Sequence, residues 1–175
     1  KQMQAYLVPL GMPNVRFAVE LETKKEPDIK GMDSVNFLFS ANKNGMLQQV
    51  ASIASGGEIA RVMLSLKAMI AGAVKLPTII FDEIDTGVSG EVADKMGVIM
   101  REMGEYMQVF SITHLPQVAA KGAQHYKVFK HDNEERTTSE IIQLDKEQRV
   151  KEIAQMLSGT QITDAAMQQA QALLN

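Results

Sequence analysis

Two stretches of this sequence place acidic and imidazole side chains directly after short apolar runs. Asp82 and Glu83 follow the run 78–81, and His114 comes shortly after the run 109–112. In open α/β sheets, ligands bind at the carboxyl ends of the strands. If the two runs are neighbouring parallel strands, one sheet edge therefore receives an Asp, a Glu and a His. These side chains predict a site that combines a metal-binding carboxylate with a general acid or base.

A third stretch, Ser55, Gly56, Gly57 and Glu58, stands where a long helical pattern begins. One interpretation is a capping box, in which the Ser side chain caps the helix and the Glu side chain reaches back to the Ser N–H. A capping box does not require two glycines between these residues, because better helix formers are accepted there. The other interpretation is that the glycines leave backbone N–H groups open to a phosphate, which the helix dipole favours.

Hydrophobic periodicity predicts the elements that position these residues. Alternating apolar residues at 15–21 and 35–39 predict an antiparallel strand pair, and helical spacing over 59–73 predicts a helix of about four turns. Between 78 and 112 the pattern is strand, helix, strand, which is typical of a parallel βαβ unit. The remaining predicted elements are a short helix at 1–7, a hairpin of 126–130 with 138–144, a helix over about 146–157 that ends at Gly159, and a final helix capped by Thr163.

Composition indicates one globular domain spanning residues 1–175, with 45% hydrophobic and 22% charged residues. A formal net charge of -3 provides no overall basic field, so any DNA contact must be local or lie elsewhere in a larger protein. The absence of cysteine excludes disulfides and thiolate zinc sites. With no apolar run long enough to span a bilayer, we expect a cytoplasmic protein without a membrane partner.

Taken together, these stretches resemble the motifs of ABC-type ATPases. "ASGGE" is similar to their signature motif, "TIIFDEIDTGVSG" to their Walker B strand, catalytic Glu and D-loop, and "SITHLPQVAAKG" to the segment with their switch His. The wording "ASGGEIAR", "THLPQVA" and "EIAQMLSG" resembles the SMC-like branch that repairs DNA double-strand breaks in bacteria. Ala54 departs from the Leu found in many ABC proteins, which shifts the subfamily without rejecting the superfamily.

The resemblance implies a fold that is only part of an ATPase head. No glycine is followed by lysine, so the chain lacks the P-loop pattern G-x-x-x-x-G-K-[ST]. SMC-like heads are split, with the P-loop half and the signature half at opposite ends of a coiled-coil arm. The expected fold is therefore the C-terminal lobe of an ABC-type head, with a mainly parallel sheet, flanking helices and a leading strand pair. Residues 1–10 would be the end of the arm.

The resemblance also implies ATP and Mg²⁺ as cofactors, and it implies partners. These are the N-terminal P-loop half of the same protein, a second head in an ATP-dependent homodimer, and DNA bound by the assembled protein at the bacterial nucleoid. The isolated chain is expected to be inactive. By matching position, the resemblance implies that Asp82 binds Mg²⁺ through water, that Glu83 is the general base and that His114 contacts the γ-phosphate. Asp85 would lie in the D-loop at the interface between two heads. The signature residues Ser55, Gly56, Gly57 and Glu58 would contact the nucleotide of the second head.

Two other functions remain open on the sequence alone. A nucleotide-binding subunit of an ABC transporter carries the same motifs, although a helical subdomain usually precedes its signature, where this chain has a predicted strand pair. A non-hydrolysing SMC-like interaction module would keep the fold without turnover. The intact Asp82, Glu83 and His114 favour an enzyme.

Overall fold

The computed structural model describes residues 2–52, 55–132, 137–159 and 161–175. The chain divides into two compact units, one of Lys1–Pro77 with Ile84–Met96 and the other of Thr78–Glu83 with Gly97–Asn175. In chain order the elements are α1 (Gln2–Leu7), β1 (Arg16–Asp28), β2 (Gly31–Ser40), β3 (Gln48–Gln49), a 3₁₀ turn (Val50–Ser52), α2 (Gly56–Val74), β4 (Thr78–Asp82), α3 (Gly90–Met103), β5 (Gln108–Ile112), α4 (Pro116–Lys121), β6 (Tyr126–Asp132), β7 (Thr137–Gln143), α5 (Lys146–Ser158) and α6 (Asp164–Leu174).

The first unit is built on the predicted strand pair. β1 and β2 are antiparallel, with Phe17 opposite Phe39 and Val19 opposite Phe37, and the short β3 extends the sheet beside β2. Side chains on alternate positions share one face of a sheet. The end of that face nearest α1 therefore joins the core of the unit, which contains Met3, Leu7, Met12, Val15, Phe39 and Val62.

The helix α2 is longer than the periodicity predicted. It has 19 residues, begins at Gly56 and ends at Val74, where Lys75 takes a left-handed conformation. Its buried positions include Val62 and Leu64. Within the described part of the chain, neither α2 nor any other helix is long and apolar enough to cross a membrane.

The second unit contains the predicted parallel pair. β4 and β5 run parallel, with Ile79 opposite Val109 and Asp82 opposite Ile112. Among the described strands, parallel pairing is confined to β4 and β5. The strands of the other two sheets pair in antiparallel fashion. The predicted α/β class is confirmed, although the described residues form three small sheets in place of one mainly parallel sheet.

The carboxyl-terminal elements follow the predicted helix signals. β6 and β7 form the expected antiparallel hairpin, α5 ends at Gly159, and the Thr163 side chain caps α6 by accepting from the N–H of Ala166 at 3.2 Å. The helix α4 is not among the elements predicted from the sequence, although Pro116 at its first position is a typical helix-start signal. The core of this region contains Ala120, Ile153, Ala154, Ala166 and Ala170.

Candidate functional site

Asp82 and Glu83 stand at the end of β4 with exposed side chains. The backbone N–H of Glu83 donates to the carbonyl of Ile112 at 3.0 Å, which ties the residue after β4 to the last residue of β5. Glu83 has φ +47°, in the left-handed region that non-glycine residues rarely adopt. Backbone strain of this kind clusters at functional sites, and here it fixes the direction in which a carboxylate leaves the sheet.

His114 lies at the same edge. It follows Ile112, the register partner of Asp82, by two residues, and its side chain is exposed. The hydroxyl of Thr113 accepts from the N–H of Leu115 at 2.9 Å, and this small turn leads the chain into α4. The parallel register therefore brings Asp82, Glu83 and His114 to one edge of the β4–β5 sheet.

This edge has the donor type that Mg²⁺ prefers. Within the described residues, no group of three or more His, Cys, Asp or Glu side chains is arranged to hold a metal ion. Mg²⁺ usually keeps several waters and binds one or two carboxylates together with substrate phosphates. The exposed carboxylate of Asp82 fits that mode, and Mg²⁺ would polarise the phosphate oxygens that it contacts.

In the first unit, Ser55 precedes α2 in an extended conformation, with φ -94° and ψ 118°. Its carbonyl oxygen accepts from the N–H groups of Glu58 at 3.1 Å and Ile59 at 3.0 Å. The Ser55 side chain makes no capping hydrogen bond, so the capping-box interpretation of the Ser55 and Glu58 pair is wrong. Backbone geometry alone begins the helix, and the exposed hydroxyl of Ser55 does not serve as its cap. Ala54 lies outside the described residues.

The two glycines of this turn have different surroundings. A Cβ on Gly57 would lie 2.6 Å from the carbonyl oxygen of Gly87 and 3.2 Å from its carbonyl carbon. A Cβ on Gly56 would meet nothing within 4 Å. The close approach of Gly87 therefore explains why position 57 is a glycine. Gly56 faces open space, so no packing contact within this chain requires a glycine there, and the interpretation that it leaves room for a phosphate still applies. The sequence alone does not distinguish the two glycines, because the partner of Gly57, Gly87, comes much later in the chain.

Gly87 belongs to the turn that follows Glu83. Gly87 has φ +79°, and the N–H of Val88 donates to the carbonyl of Asp85 at 3.2 Å. The side chain of Asp85 is only 1% exposed, whereas Thr86 and Gly87 are exposed. The exposed surface of this turn therefore lies one or two residues beyond the carboxylate that sequence analysis selected.

Three curated proteins show what the chain resembles. It is 39% identical to "DNA repair protein RecN" of Vibrio cholerae over 166 residues, which is 94% of this chain and 30% of that protein. The match to the RecN of Rickettsia prowazekii is 40% identical over 96% of this chain and 30% of that protein. That of Haemophilus influenzae is 37% identical over 95% of this chain and 30% of that protein. Over nearly its whole length, the chain is therefore similar to one segment of RecN proteins, about 30% of their length.

Two solved structures that are similar to this chain come from SMC ATPases. A structure described under ATP-driven dimerization and DNA-stimulated activation of SMC ATPases has a TM-score of 0.61, with 18% identity over 91% of each chain. The Smc head domain with a coiled coil and joint from Pyrococcus yayanosii has a TM-score of 0.70, with 18% identity over 87% of this chain and 28% of that one. No family model matches the chain. At this identity the likeness concerns the fold, which is a lobe of an SMC-type, and therefore ABC-type, head.

Proposed function

We propose that this chain is the signature and Walker B segment of an ATP-hydrolysing head in a RecN-family protein that acts in DNA double-strand break repair. The observation that carries the proposal is the register of β4 and β5, which places Asp82, Glu83 and His114 at one sheet edge. The relatives compared are DNA repair proteins, which favours this function over an ABC transporter subunit.

In the proposed reaction, each of the three side chains has a distinct task. Asp82 would hold Mg²⁺, most directly through a bound water. The carboxylate of Glu83 would accept a proton from the water that attacks the γ-phosphate, with ADP and phosphate as products. His114 would contact the γ-phosphate. The exposure of all three side chains supports these roles, because each is open to a ligand.

The start of α2 would contact a nucleotide bound to a second head. Ser55, Gly56 and Gly57 would meet its γ-phosphate, with Glu58 in the same turn and Asp85 in the loop at the head interface. Two observations support this role: there is open space at Gly56, and the exposed hydroxyl of Ser55 does not cap the helix. Backbone N–H groups at the positive end of a helix dipole favour phosphate. ATP would then join two heads into a homodimer, and ATP-driven dimerization is described for the SMC ATPases of one similar structure.

The P-loop would come from an N-terminal half of the same protein. The chain spans about 30% of the length of the curated relatives that it matches, and it contains no Gly-Lys pair. Parallel sheets are almost always covered on both faces. On β4 and β5, however, Ile80, Phe110 and Ile112 are 63%, 46% and 55% exposed, which supports a missing partner layer. In this proposal residues 1–175 form one half of a split head, with 1–10 as the end of a coiled-coil arm. The assembled protein binds DNA in the bacterial cytoplasm, at the nucleoid.

Replacement of Glu83 in the full-length protein tests the enzymatic role. Glu83→Gln removes the general base and keeps the size of the side chain, so we expect ATP hydrolysis to stop while ATP binding persists and an ATP-bound dimer accumulates. The control is Glu105→Gln, at an exposed Glu in the turn after α3, which should hydrolyse ATP at the wild-type rate. An unchanged rate in Glu83→Gln would favour the non-hydrolysing interaction module.

The division of the head has a separate test. Calorimetry measures Mg-ATP binding to this chain before and after addition of the N-terminal half of its parent protein, with circular dichroism to establish folding. We expect binding only in the mixture, because this chain lacks the lysine and glycine cradle of a P-loop. Tight binding by the chain alone would overturn the division into two halves.

A further inference from the structure

The guanidinium of Arg61 bridges two backbone carbonyls that are far apart in sequence. Its Nε donates to the carbonyl of Gly57 at 2.9 Å, and its Nη1 donates to the carbonyl of Leu10 at 2.9 Å. Arg61 is half-buried, and its own carbonyl accepts from the hydroxyl of Ser65 at 2.8 Å. One side chain on α2 therefore donates hydrogen bonds both to the first turn of its own helix and to the segment after α1.

Leu10 is the last residue of the turn that closes α1. The N–H of Met12 donates to the carbonyl of Leu7 at 3.1 Å, the N–H of Gly11 donates to that of Val8 at 3.1 Å, and Gly11 has φ +76°. These two hydrogen bonds and the left-handed glycine form a Schellman motif, which leaves the carbonyl of Leu10 available at the negative end of the helix. A cation bound to this carbonyl is favoured by hydrogen bonding and by the helix dipole.

On the other side, Arg61 holds Gly57 from within the helix. The backbone of Gly57 already lies against the backbone of Gly87, so little room exists for movement in that direction. Arg61 and Gly87 thus contact the first turn of α2 at the residue next to the open Gly56. Besides the packing of Met3 and Leu7 against Val62, the turn is tied to the end of α1 by one planar group that donates from two nitrogens. Lysine cannot reproduce such a bridge, because its charge is a single point.

We propose that Arg61 is a positioning residue that fixes the first turn of α2 against the end of α1, so that displacement of α1 moves Ser55, Gly56 and Gly57. The mechanical part of this inference stands on the contacts of Arg61. Its consequence for nucleotide binding rests on the proposed function of the turn.

Hydrogen exchange of the full-length protein, measured by mass spectrometry, tests the mechanical part. The variants are Arg61→Met, which removes both hydrogen bonds, and Arg61→Lys, which retains the charge. We expect exchange to become about tenfold faster in Arg61→Met, both at residues 10–12 and at residues 56–62, because each site loses a charged hydrogen bond. Arg61→Lys should show a smaller increase at both sites. The control is Arg101→Met, at an exposed Arg of α3, with no change at either site. Faster exchange at only one of the two sites, or at neither, would overturn the bridge.

The dependence of ATP hydrolysis on protein concentration tests the consequence. If the turn contacts a nucleotide on a second head, Arg61→Met should raise the protein concentration that gives the half-maximal rate by about tenfold, while the rate at saturating protein stays near wild type. A fall in the saturating rate in proportion to the folded fraction would mean that Arg61 serves stability alone. Absence of ATP hydrolysis in the wild-type protein would refute the proposed function, and the exchange measurement would still decide whether Arg61 forms the bridge.

Discussion

The backbones of Gly57 and Gly87 approach so closely that a Cβ on Gly57 would lie 2.6 Å from the carbonyl oxygen of Gly87. This contact connects the turn before α2 to the turn after β4, and it allows no side chain on Gly57. Gly56, in contrast, is exposed, and a Cβ on it would meet nothing within 4 Å. Packing therefore requires a glycine at position 57 and does not explain the glycine at position 56. The difference separates the structural role of the stretch from the ligand role proposed for it.

Alanine substitutions at the two glycines should therefore have opposite effects. Gly57→Ala forces the rigid backbone at Gly87 to shift, and we expect a loss of about 1–3 kcal/mol in the free energy of unfolding. Gly56→Ala adds a helix former at an open position and should keep or raise stability, by up to about 1 kcal/mol. Denaturant unfolding followed by circular dichroism measures both values.

The same two variants separate stability from activity. If Gly56 lies against a phosphate, Gly56→Ala should lower ATP hydrolysis by the full-length protein without any loss of stability. Full activity in Gly56→Ala would remove the phosphate interpretation of this glycine. A stable Gly57→Ala variant would contradict the close backbone contact.

Glu83 and Lys75 offer a matched pair of strained backbones. Both adopt a left-handed conformation, with φ +47° at Glu83 and φ +51° at Lys75, where a side chain costs about 1–2 kcal/mol. Glycine at either position relieves the strain, and we expect Glu83→Gly and Lys75→Gly to raise the melting temperature. Only Glu83→Gly should abolish ATP hydrolysis by the full-length protein. Equal activity in the two variants would show that Glu83 is strained for a structural reason and not for catalysis.

Much of the fold follows from local signals in the sequence. Gly159 and Thr163 were sufficient to place the end of α5 and the start of α6, because a helix end needs specific backbone or capping partners. The edge that carries Asp82 and His114 also followed from the sequence, since two apolar runs around one helix predict neighbouring parallel strands. Local periodicity and the direction of the strands were enough in these cases.

The features that sequence analysis missed depend on contacts between distant residues or on short elements. A glycine is required at position 57 because the backbone of Gly87 lies against it, and the guanidinium of Arg61 donates to the carbonyl of Leu10, 51 residues away in the sequence. The left-handed conformation of Glu83 has no signal in a Glu side chain, which adopts it only when the surrounding structure imposes it. The helix α4 has six residues, fewer than two turns, and so shows no detectable period.

Arg149 should contribute strongly to the stability of the segment that follows His114. Its guanidinium donates to the carbonyl of Ala120 at 2.8 Å and also to the carbonyl of Gly122, at the C-terminal end of α4. A cation stabilises this end of a helix, and burial lowers the pKa of Arg149. We expect Arg149→Gln to lower the free energy of unfolding by about 1.5–3 kcal/mol, the value of hydrogen bonds to a charged group. Arg101→Gln, at an exposed position, is the control and should change stability by less than about 0.5 kcal/mol.

His125 should make stability depend on pH. The pKa of His125 is lowered from 6.5, first by burial and then by the charges of Arg149 and Lys127, against an opposing effect of Glu152. Among the described residues, none forms a hydrogen bond with its buried Nδ1. Because the unfolded state holds the proton more tightly, the contribution of neutral His125 is complete above about pH 6.5 and is lost as the pH falls toward the lowered value.

Unfolding curves recorded between about pH 5 and about pH 8 measure this dependence. Wild type should lose stability as the pH falls below about 6.5, and His125→Gln should lose less over the same range because it has no imidazole to protonate. Glu152→Gln removes the carboxylate that favours the charged imidazole, so the pKa of His125 should fall further and the loss should extend to lower pH. In that variant Lys127 also loses its ion pair with Glu152, which lowers stability at every pH. The informative quantity is therefore the change in the slope of unfolding free energy against pH. Identical slopes in wild type and His125→Gln would contradict a half-buried imidazole that resists protonation.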